Sequence, residues 1–238
     1  MAARGNGRYR PGVPITRWPL TEAIARLRKH YGAPSPLPVT DPFELELWES
    51  CAYLVDDERR SRVYDRLHKA TGAKPERIAA MPIGALAGVI EADGGMRPLQ
   101  RAEKLQRAAN LVLDWGQAEL RRLCKQQPER ARILLKQLPG IGDPGADRIL
   151  MISGSVATLA PESNGLRVLT RLGFGTEDRR YDRMYKSAVS DTTPELPAQP
   201  ARRIEAHQLL REHGKTLCKT TMPRCGECPL AERCPSAR

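Results

Sequence analysis

The chain has 238 residues, of which 40% are hydrophobic and 28% are charged. This length suits one large or two small domains, and with only two phenylalanines the core must be mainly aliphatic. No run of about 18 apolar residues occurs, so we expect no membrane span. Residues 1–18 lack the apolar stretch of a signal peptide and are predicted to form a basic flexible tail. The net charge of +11 favours a polyanionic partner, most often nucleic acid.

Helical periodicity dominates the chain and predicts an all-α fold. The first helix covers 20–30, and Asp41-Pro42 begins a second, strongly apolar helix that reaches Cys51. Cys51 and Cys124 fall in helical patterns and are predicted to be buried thiols. Residues 176–199, charged and then rich in Pro and Thr, are predicted to be a surface connection. The remaining predicted helices cover about 57–71, 75–81, 84–92, 98–114, 117–124, 128–137, 144–153, 163–172 and 200–214.

A turn dense in glycine and proline, LPGIGDPG, occupies positions 138–145 between two predicted helices. Its glycines permit unusual backbone conformations and expose N–H groups at the start of the next helix, where the helix dipole favours anions. The pattern resembles a helix-hairpin-helix (HhH) element over about 129–153, which implies that backbone amides hold a DNA phosphate. The alternative is a connection that binds nothing. The residues assigned to this element are Leu138, Gly140, Ile141, Gly142 and Gly145.

Asp143 and Asp147 place negative charge beside this hairpin, which counts against tight anion binding, although Asp143 could instead cap the following helix.

Four cysteines close the chain in the pattern C-x6-C-x2-C-x5-C, with turn-forming residues between them. Such a segment cannot bury a core of its own, so a metal centre is expected to fold it. Without a secretion signal, six cysteines argue against a disulfide framework. The predicted metal ligands are Cys218, Cys225, Cys228 and Cys234.

Together, the hairpin and the cysteines resemble the HhH-GPD superfamily of DNA glycosylases, in the endonuclease III and adenine-glycosylase branch. The resemblance implies a [4Fe–4S] cluster, with zinc as the alternative because four cysteines also suit that ion. It further implies a six-helix barrel over 41–156 and a second helical domain. That domain joins residues 19–40 to 157–238 and carries the cluster loop at 218–234. A DNA-binding cleft is expected between the two domains.

The family mechanism flips a nucleotide out of the duplex and breaks its N-glycosidic bond beside a carboxylate. The family's catalytic Asp falls on Glu162 in this chain, so a carboxylate is retained. The alternative is a helix N-terminal carboxylate with Ser163 or Asn164 as the cap. Asn164 occupies a position where adenine glycosylases also carry Asn, and it is interpreted as a cap and orienting residue.

The second helix supplies the expected base pocket. Glu49 falls where adenine glycosylases place a Glu that protonates the base, and burial should raise its pKa. The alternative is a solvent-facing residue paired with an arginine. Trp48 and Tyr53 could stack on a flipped base or belong to the core. Leu54 could be an apolar wedge that fills the gap in the duplex, although the two aspartates that follow, at positions 56 and 57, would repel phosphates.

The lysine that cuts the strand in bifunctional members would fall on Pro144, which has no nucleophile. We therefore expect a monofunctional glycosylase without lyase activity, acting on double-stranded DNA with a damaged or mispaired base. The alternatives are a catalytically inactive lesion sensor with the same fold and a structural metal-binding adaptor. A monomer in the cytoplasm or nucleoid, or in a eukaryotic nucleus, is expected. The sequence does not indicate which base is removed.

Overall fold

The computed structural model describes residues 17–155 and 158–237, and this part of the chain is all-α. No helix in it combines the length and apolar character that a membrane crossing requires. The helices are α1 (Leu20–Tyr31), α2 (Pro42–Ser50), α3 (Asp57–Thr71), α4 (Pro75–Ala80), α5 (Ile83–Glu91), α6 (Pro98–Trp115), α7 (Gln117–Gln126), α8 (Pro128–Leu135), α9 (Asp143–Ile152), α10 (Ser163–Arg171), α11 (Tyr181–Thr192) and α12 (Pro200–Thr216).

Helix α2 begins as the sequence predicts and lies at the centre of the fold. The Asp41 carboxylate accepts hydrogen bonds from the backbone N–H groups of Phe43 (3.0 Å) and Glu44 (3.2 Å), with Pro42 in the first turn. The helix contacts α3, α6, α7 and α9. Since α2 is enclosed on several sides, its nearly all-round apolar character follows from burial.

The helices form two groups that meet at α9 and α12. Helices α2 to α9 pack on one another, whereas α12 packs against α1, α10 and α9. Within the predicted barrel, the described residues 41–155 contain eight helices, more than the six of the barrel that the resemblance implies. The predicted domain boundaries remain a prediction. The contact between α9 and α12 brings the helix that follows the hairpin beside the one that leads into the cysteine segment.

Two predictions about surface segments are wrong. The stretch predicted as a connection over 176–199 contains α11, which buries Tyr185, Ala188 and Thr192 on one face. These residues recur at helical spacing, which indicates a helix. The segment was predicted to be a connection because the residues that follow them are rich in proline. The predicted tail over 1–18 is not free at its end, because Trp18 is buried and its indole N–H donates to the Leu230 carbonyl (2.9 Å). The rest of that tail lies outside the described residues.

The core is aliphatic, as the composition predicts. Both phenylalanines, Phe43 and Phe174, are fully buried within it. Cys51 and Cys124 are buried as predicted, and burial raises the pKa of each thiol to about 12. Because the thiolate is the reactive form of cysteine, these two residues are inert packing groups.

One carboxyl group is enclosed in this core. Glu46 on α2 is fully buried, and its Oε1 accepts a hydrogen bond from the Ser50 hydroxyl (2.8 Å), while the described residues offer no partner to Oε2. Burial raises the pKa of Glu46 to about 8. At neutral pH the folded protein therefore holds this side chain as the uncharged acid.

Glu46 should make stability fall as pH rises. In the unfolded chain it loses its proton near the ordinary glutamate pKa of 4.5, whereas the folded protein keeps that proton up to about pH 8. Between these values the folded state binds more protons, so the free energy of unfolding decreases with pH. We expect Glu46→Gln to remove this decline. Thermal unfolding of both proteins from pH 5 to 8 tests it, and parallel curves would contradict the assignment.

Helix α12 approaches the start of α10 closely. A Cβ atom placed on Gly214 would lie 2.5 Å from the backbone oxygen of Asn164 and 2.8 Å from its Cβ. No side chain larger than hydrogen fits there without moving one of the helices. Gly214 therefore sets how closely α12 approaches the residues that open α10.

Gly214→Ala should lower the melting temperature by about 5 °C, because overpacking of this kind costs about 2 kcal/mol. Gly88→Ala in α5 is the matched control, since nothing lies within 4 Å of its added methyl group. That control should be neutral or slightly stabilising, because alanine favours helix more than glycine does. Equal melting temperatures for the two variants would contradict the steric role of Gly214.

Candidate functional site

A cavity of about 580 Å³ opens between the two groups of helices. It is bordered by residues of α2, α3, α9, α10 and α12 and by the connection from α1 to α2. Its wall carries both carboxylates and guanidinium groups. The charged residues on which the following description depends are Glu49, Asp57, Arg148, Glu162 and Arg211.

Glu162 lies on the wall of this cavity and is the N-cap of α10. Its Oε1 accepts a hydrogen bond from the Gly165 backbone N–H (2.8 Å), and its Oε2 accepts one from the Asn164 side-chain amide (2.9 Å). The alternative prediction that Ser163 or Asn164 caps this helix is therefore wrong, because Glu162 is itself the cap. Both carboxylate oxygens are held at the positive end of a helix, beside the cavity.

Asn164 orients Glu162 and is itself held in place. Its side-chain oxygen accepts a hydrogen bond from Arg167 (2.9 Å). The Arg167 guanidinium also donates to the backbone carbonyls of Gly214 (2.7 Å) and Cys218 (2.9 Å). A continuous set of hydrogen bonds thus joins the cleft carboxylate to the first residue of the cysteine segment.

Glu49 also lies on the cavity wall, but it is not buried as expected. Its side chain is 35% exposed, and its Oε1 accepts a hydrogen bond from Arg148 Nε (3.1 Å) and lies 3.0 Å from Arg148 Nη2. The prediction that Glu49 is buried is wrong, because the enclosed carboxyl group on α2 is Glu46, three residues earlier. The structure has instead the predicted alternative of a pairing with arginine.

A second ion-pair network crosses the cavity from α3 to α12. The Asp57 carboxylate accepts from Arg211 (2.6 Å) and from Lys215 (2.7 Å), and these two cations hold the pKa of Asp57 well below its usual range. Asp56 is engaged as the N-cap of α3. The expectation that Asp57 repels phosphates is therefore wrong, because two cations neutralise it, whereas the same expectation for Asp56 stays a prediction.

The predicted stacking and wedge residues occupy different environments. Trp48 is partly buried at the cavity wall and meets the Tyr64 ring edge-on at 5.4 Å. Tyr53 and Leu54 are 52% and 74% exposed, and Leu54 has a φ of +56°, which is strained for a leucine. The Tyr53 backbone N–H donates to the Gly94 carbonyl (2.9 Å), so this exposed loop is anchored at its base.

The hairpin borders a second cavity, of about 590 Å³. Leu138 and Ile141 are buried plugs, as predicted, and Gly140 has a φ of +88° that favours glycine. A Cβ on Gly145 would lie 3.2 Å from the Ile141 side chain, so the absence of a side chain at Gly145 leaves room for Ile141 to pack there. Gly142 is the N-cap of α9, and the suggestion that Asp143 caps that helix is wrong.

The acidic residues beside the hairpin are neutralised. Asp143 forms ion pairs with Lys136 (2.6 Å) and Arg132 (3.2 Å). The Asp147 carboxylate accepts from Arg132 (2.6 Å) and from the Tyr185 hydroxyl (3.0 Å). The N-terminal amides of α9 have no partners within the helix and are available to an anion.

The four C-terminal cysteines surround one cavity, together with residues of α10 and α12. Arg171 donates to the Cys218 sulfur (3.4 Å), and the Leu230 backbone N–H donates to the Cys228 sulfur (3.4 Å). Among the described residues, no three Cys, His, Asp or Glu side chains come close enough to hold a single metal ion. The thiols therefore surround a space instead of meeting at one point.

The sequence interpretation missed four residues of the main cavity or its edge. Asp57 was assigned only as an acidic neighbour of the wedge loop, and Arg148, Tyr181 and Arg211 were not assigned. Tyr181 lies where Glu162 and Arg148 both influence it, although burial has the largest effect and raises its pKa. Only Arg148 had a usable signal, since it follows Pro144 by one helical turn. The others come together only through the packing of α3, α11 and α12.

Comparisons with known proteins agree with this architecture. The chain is 26% identical over 198 residues to endonuclease III of Bacillus subtilis (strain 168), covering 82% of this chain and 81% of that protein. Over 111 residues it is 32% identical to the adenine DNA glycosylase of Arabidopsis thaliana, covering 45% of this chain and 16% of that protein. No family model matches the sequence.

Solved structures show the same fold. A trapped covalent intermediate of endonuclease III with DNA has a TM-score of 0.71 and 22% identity, covering 92% of this chain and 95% of that one. A thermostable thymine-DNA glycosylase has a TM-score of 0.69 and 16% identity, covering 92% and 96%. Over most of its length, the chain is thus similar in sequence to endonuclease III and in fold to DNA glycosylases.

Proposed function

We propose that the protein is a monofunctional DNA glycosylase of base excision repair, which hydrolyses the N-glycosidic bond of a damaged or mispaired base without cutting the strand. The observation that carries this proposal is the Glu162 carboxylate, held by Gly165 and Asn164 on the wall of the cleft cavity. A carboxylate in such a position can stabilise positive charge that develops on a sugar.

Double-stranded DNA is the proposed partner. The hairpin glycines and the start of α9 offer backbone amides to a phosphate, and the net charge of +11 attracts the duplex. Leu54, exposed on its anchored loop, is the proposed wedge that fills the gap left by an extruded nucleotide. Trp48, on the wall of the cleft cavity, and Tyr53, which borders the hairpin cavity, are the proposed stacking surfaces for the base.

The proposed reaction places the extruded sugar beside Glu162. As the bond between C1′ and the base lengthens, positive charge grows on the sugar and the carboxylate stabilises it. Water adds to C1′, and the base leaves with a proton, so that an abasic site remains in an intact strand. Arg167 acts as a positioning residue here, because its hydrogen bond to Asn164 keeps the amide directed at Glu162.

Strand cleavage through an amine is not part of the proposal. Pro144, at the position of the family's lysine, has neither an amine nor a backbone N–H. The cation nearest to that position on the same face of α9 is Arg148, one turn further on. A guanidinium group stays protonated in proteins and is not a nucleophile. The absence of an amine at the family position supports the proposal of hydrolysis without strand cleavage.

We further propose that Cys218, Cys225, Cys228 and Cys234 hold a [4Fe–4S] cluster. Tetrahedral zinc requires four sulfurs within about 2.3 Å of one point, whereas these thiols are spread around a cavity with N–H donors directed at two of them. That arrangement suits a larger cluster, which when bound would keep the turn-rich segment 218–234 folded. Zinc without iron in the purified protein would contradict this assignment.

Replacing Glu162 by Gln should lower base excision by about a hundredfold or more, because an amide cannot balance the positive charge of the sugar. The measurement is single-turnover excision from duplexes that each carry one modified base, with alkali used to reveal abasic sites. Arg122→Gln on α7 is the matched control, since Arg122 pairs only with neighbours on its own helix and lies outside both cavities.

Two outcomes would contradict the proposal in different ways. If no duplex in a broad panel yields abasic product while DNA binding is tight, the protein is the inactive lesion sensor. If borohydride traps the wild-type protein on the DNA, an amine has attacked the sugar and the protein is bifunctional. Glu162→Gln excision equal to wild type would refute only the role of that carboxylate.

A further inference from the structure

Arg148 lies where the two cavities meet. It shares one face of α9 with Pro144, four residues earlier, and both border the hairpin cavity. Arg148 also borders the cleft cavity, as does its partner Glu49. Its side chain is only 15% exposed, so it is not an ordinary surface arginine. The positive charge absent at position 144 is thus present one turn further along the helix.

The contact between Arg148 and Glu49 leaves hydrogen-bonding capacity unused. Nε of Arg148 donates to Oε1 of Glu49 at 3.1 Å, and Nη2 of Arg148 lies 3.0 Å from that same oxygen. Within the described chain, neither Oε2 of Glu49 nor Nη1 of Arg148 has a hydrogen-bond partner. The pair therefore offers a donor and an acceptor next to each other.

We propose that Glu49 and Arg148 together read the extruded base, and that they select a neutral base in which a carbonyl oxygen lies beside a ring N–H. Arg148 would donate to the carbonyl oxygen, and Oε2 of Glu49 would accept from the adjacent N–H. Guanidinium groups favour carbonyl oxygens on bases, and carboxylates accept N–H groups. Uracil and hypoxanthine present such an edge, whereas 1,N6-ethenoadenine has neither group.

This inference rests on the proposed function for the extrusion of the base, but it gives Glu49 a different part from the expected one. Oε1 of Glu49 already accepts from Arg148, so the pairing assigns Oε2 as the acceptor of a hydrogen bond from the base. Normal thymine and guanine share the same edge, and they are rejected earlier because a well-paired base costs more to extrude.

The test measures binding, so it does not depend on catalysis. Duplexes carry 2′-fluoro-arabino nucleotides, which resist hydrolysis, with uracil opposite guanine, hypoxanthine opposite thymine, 1,N6-ethenoadenine opposite thymine, or no lesion. The wild type should prefer the uracil and hypoxanthine duplexes. Arg148→Gln and Glu49→Gln should each lower the affinity for the uracil and hypoxanthine duplexes by about tenfold or more. The affinity for the ethenoadenine duplex and for the duplex without a lesion should not change.

The double variant should lose about as much affinity for the uracil and hypoxanthine duplexes as either single variant, since the two side chains act as one unit. Arg122→Gln should bind all four duplexes like the wild type. If Arg148→Gln does not fold, Glu49→Gln and the wild-type preference still test the proposal, because Glu49 is about one-third exposed.

Other results would overturn it. One such result is that Arg148→Gln weakens binding to all four duplexes equally and reduces the slope of log affinity against log salt concentration by about one. That result would show that Arg148 contacts a phosphate instead of the base. A wild-type preference for 1,N6-ethenoadenine would refute the base class. If the wild type binds the uracil and hypoxanthine duplexes selectively but excises no base, the proposed glycosylase activity is refuted and the role of Glu49 and Arg148 in base selection stands. If the wild type excises bases but Arg148→Gln binds the four duplexes with unchanged preference, the role in base selection is refuted and the glycosylase activity stands.

Discussion

The close approach of α12 to the first turn of α10 is the contact on which the site depends. Gly214 has no side chain because the backbone of Asn164 occupies that space. The same approach lets Arg167 reach the carbonyls of Gly214 and Cys218 while it holds Asn164. The direction of the Glu162 carboxylate thus follows from how two helices pack, and the cysteine segment at the end of α12 supports that packing.

Paired charges govern the chemistry of the cleft. Asp57 is neutralised by Arg211 and Lys215, and Glu49 is matched by Arg148. Glu162 differs, because its partners are neutral N–H groups of the backbone and of Asn164. Such donors orient a carboxylate without cancelling its charge. Of these three carboxylates, Glu162 is the one held without an ion pair, which suits the role proposed for it beside a cationic sugar.

The features that sequence predicted well are local. The Asp41-Pro42 cap, the hairpin with its plugs at Leu138 and Ile141, and the helical periods each depend on residues within a turn or two of one another. The burial of Cys51 followed from its apolar helix. The cleft residues that were predicted, Trp48, Glu49 and Glu162, followed from the family resemblance at single positions.

What sequence could not predict depends on which side chains meet across the fold. On α2, Glu46 is buried and Glu49 is not. Packing decides which side of a helix faces the core, and the sequence of an almost uniformly apolar helix does not indicate that side. Trp18 was taken for tail because its contact with Leu230 spans most of the chain. The pairing of Glu49 with Arg148 likewise joins residues 99 positions apart.

The measurement that tests the central claim most directly is a crystal structure of the protein with a duplex that carries a hydrolysis-resistant 2′-fluoro-arabino uridine opposite guanine. We expect an extruded nucleotide in the cleft, with C1′ within about 3–4 Å of the Glu162 carboxylate, and the carboxylate still held by Gly165 and Asn164. A nucleotide that stays stacked in the duplex, or one extruded with its sugar remote from Glu162, would contradict the role proposed for that carboxylate.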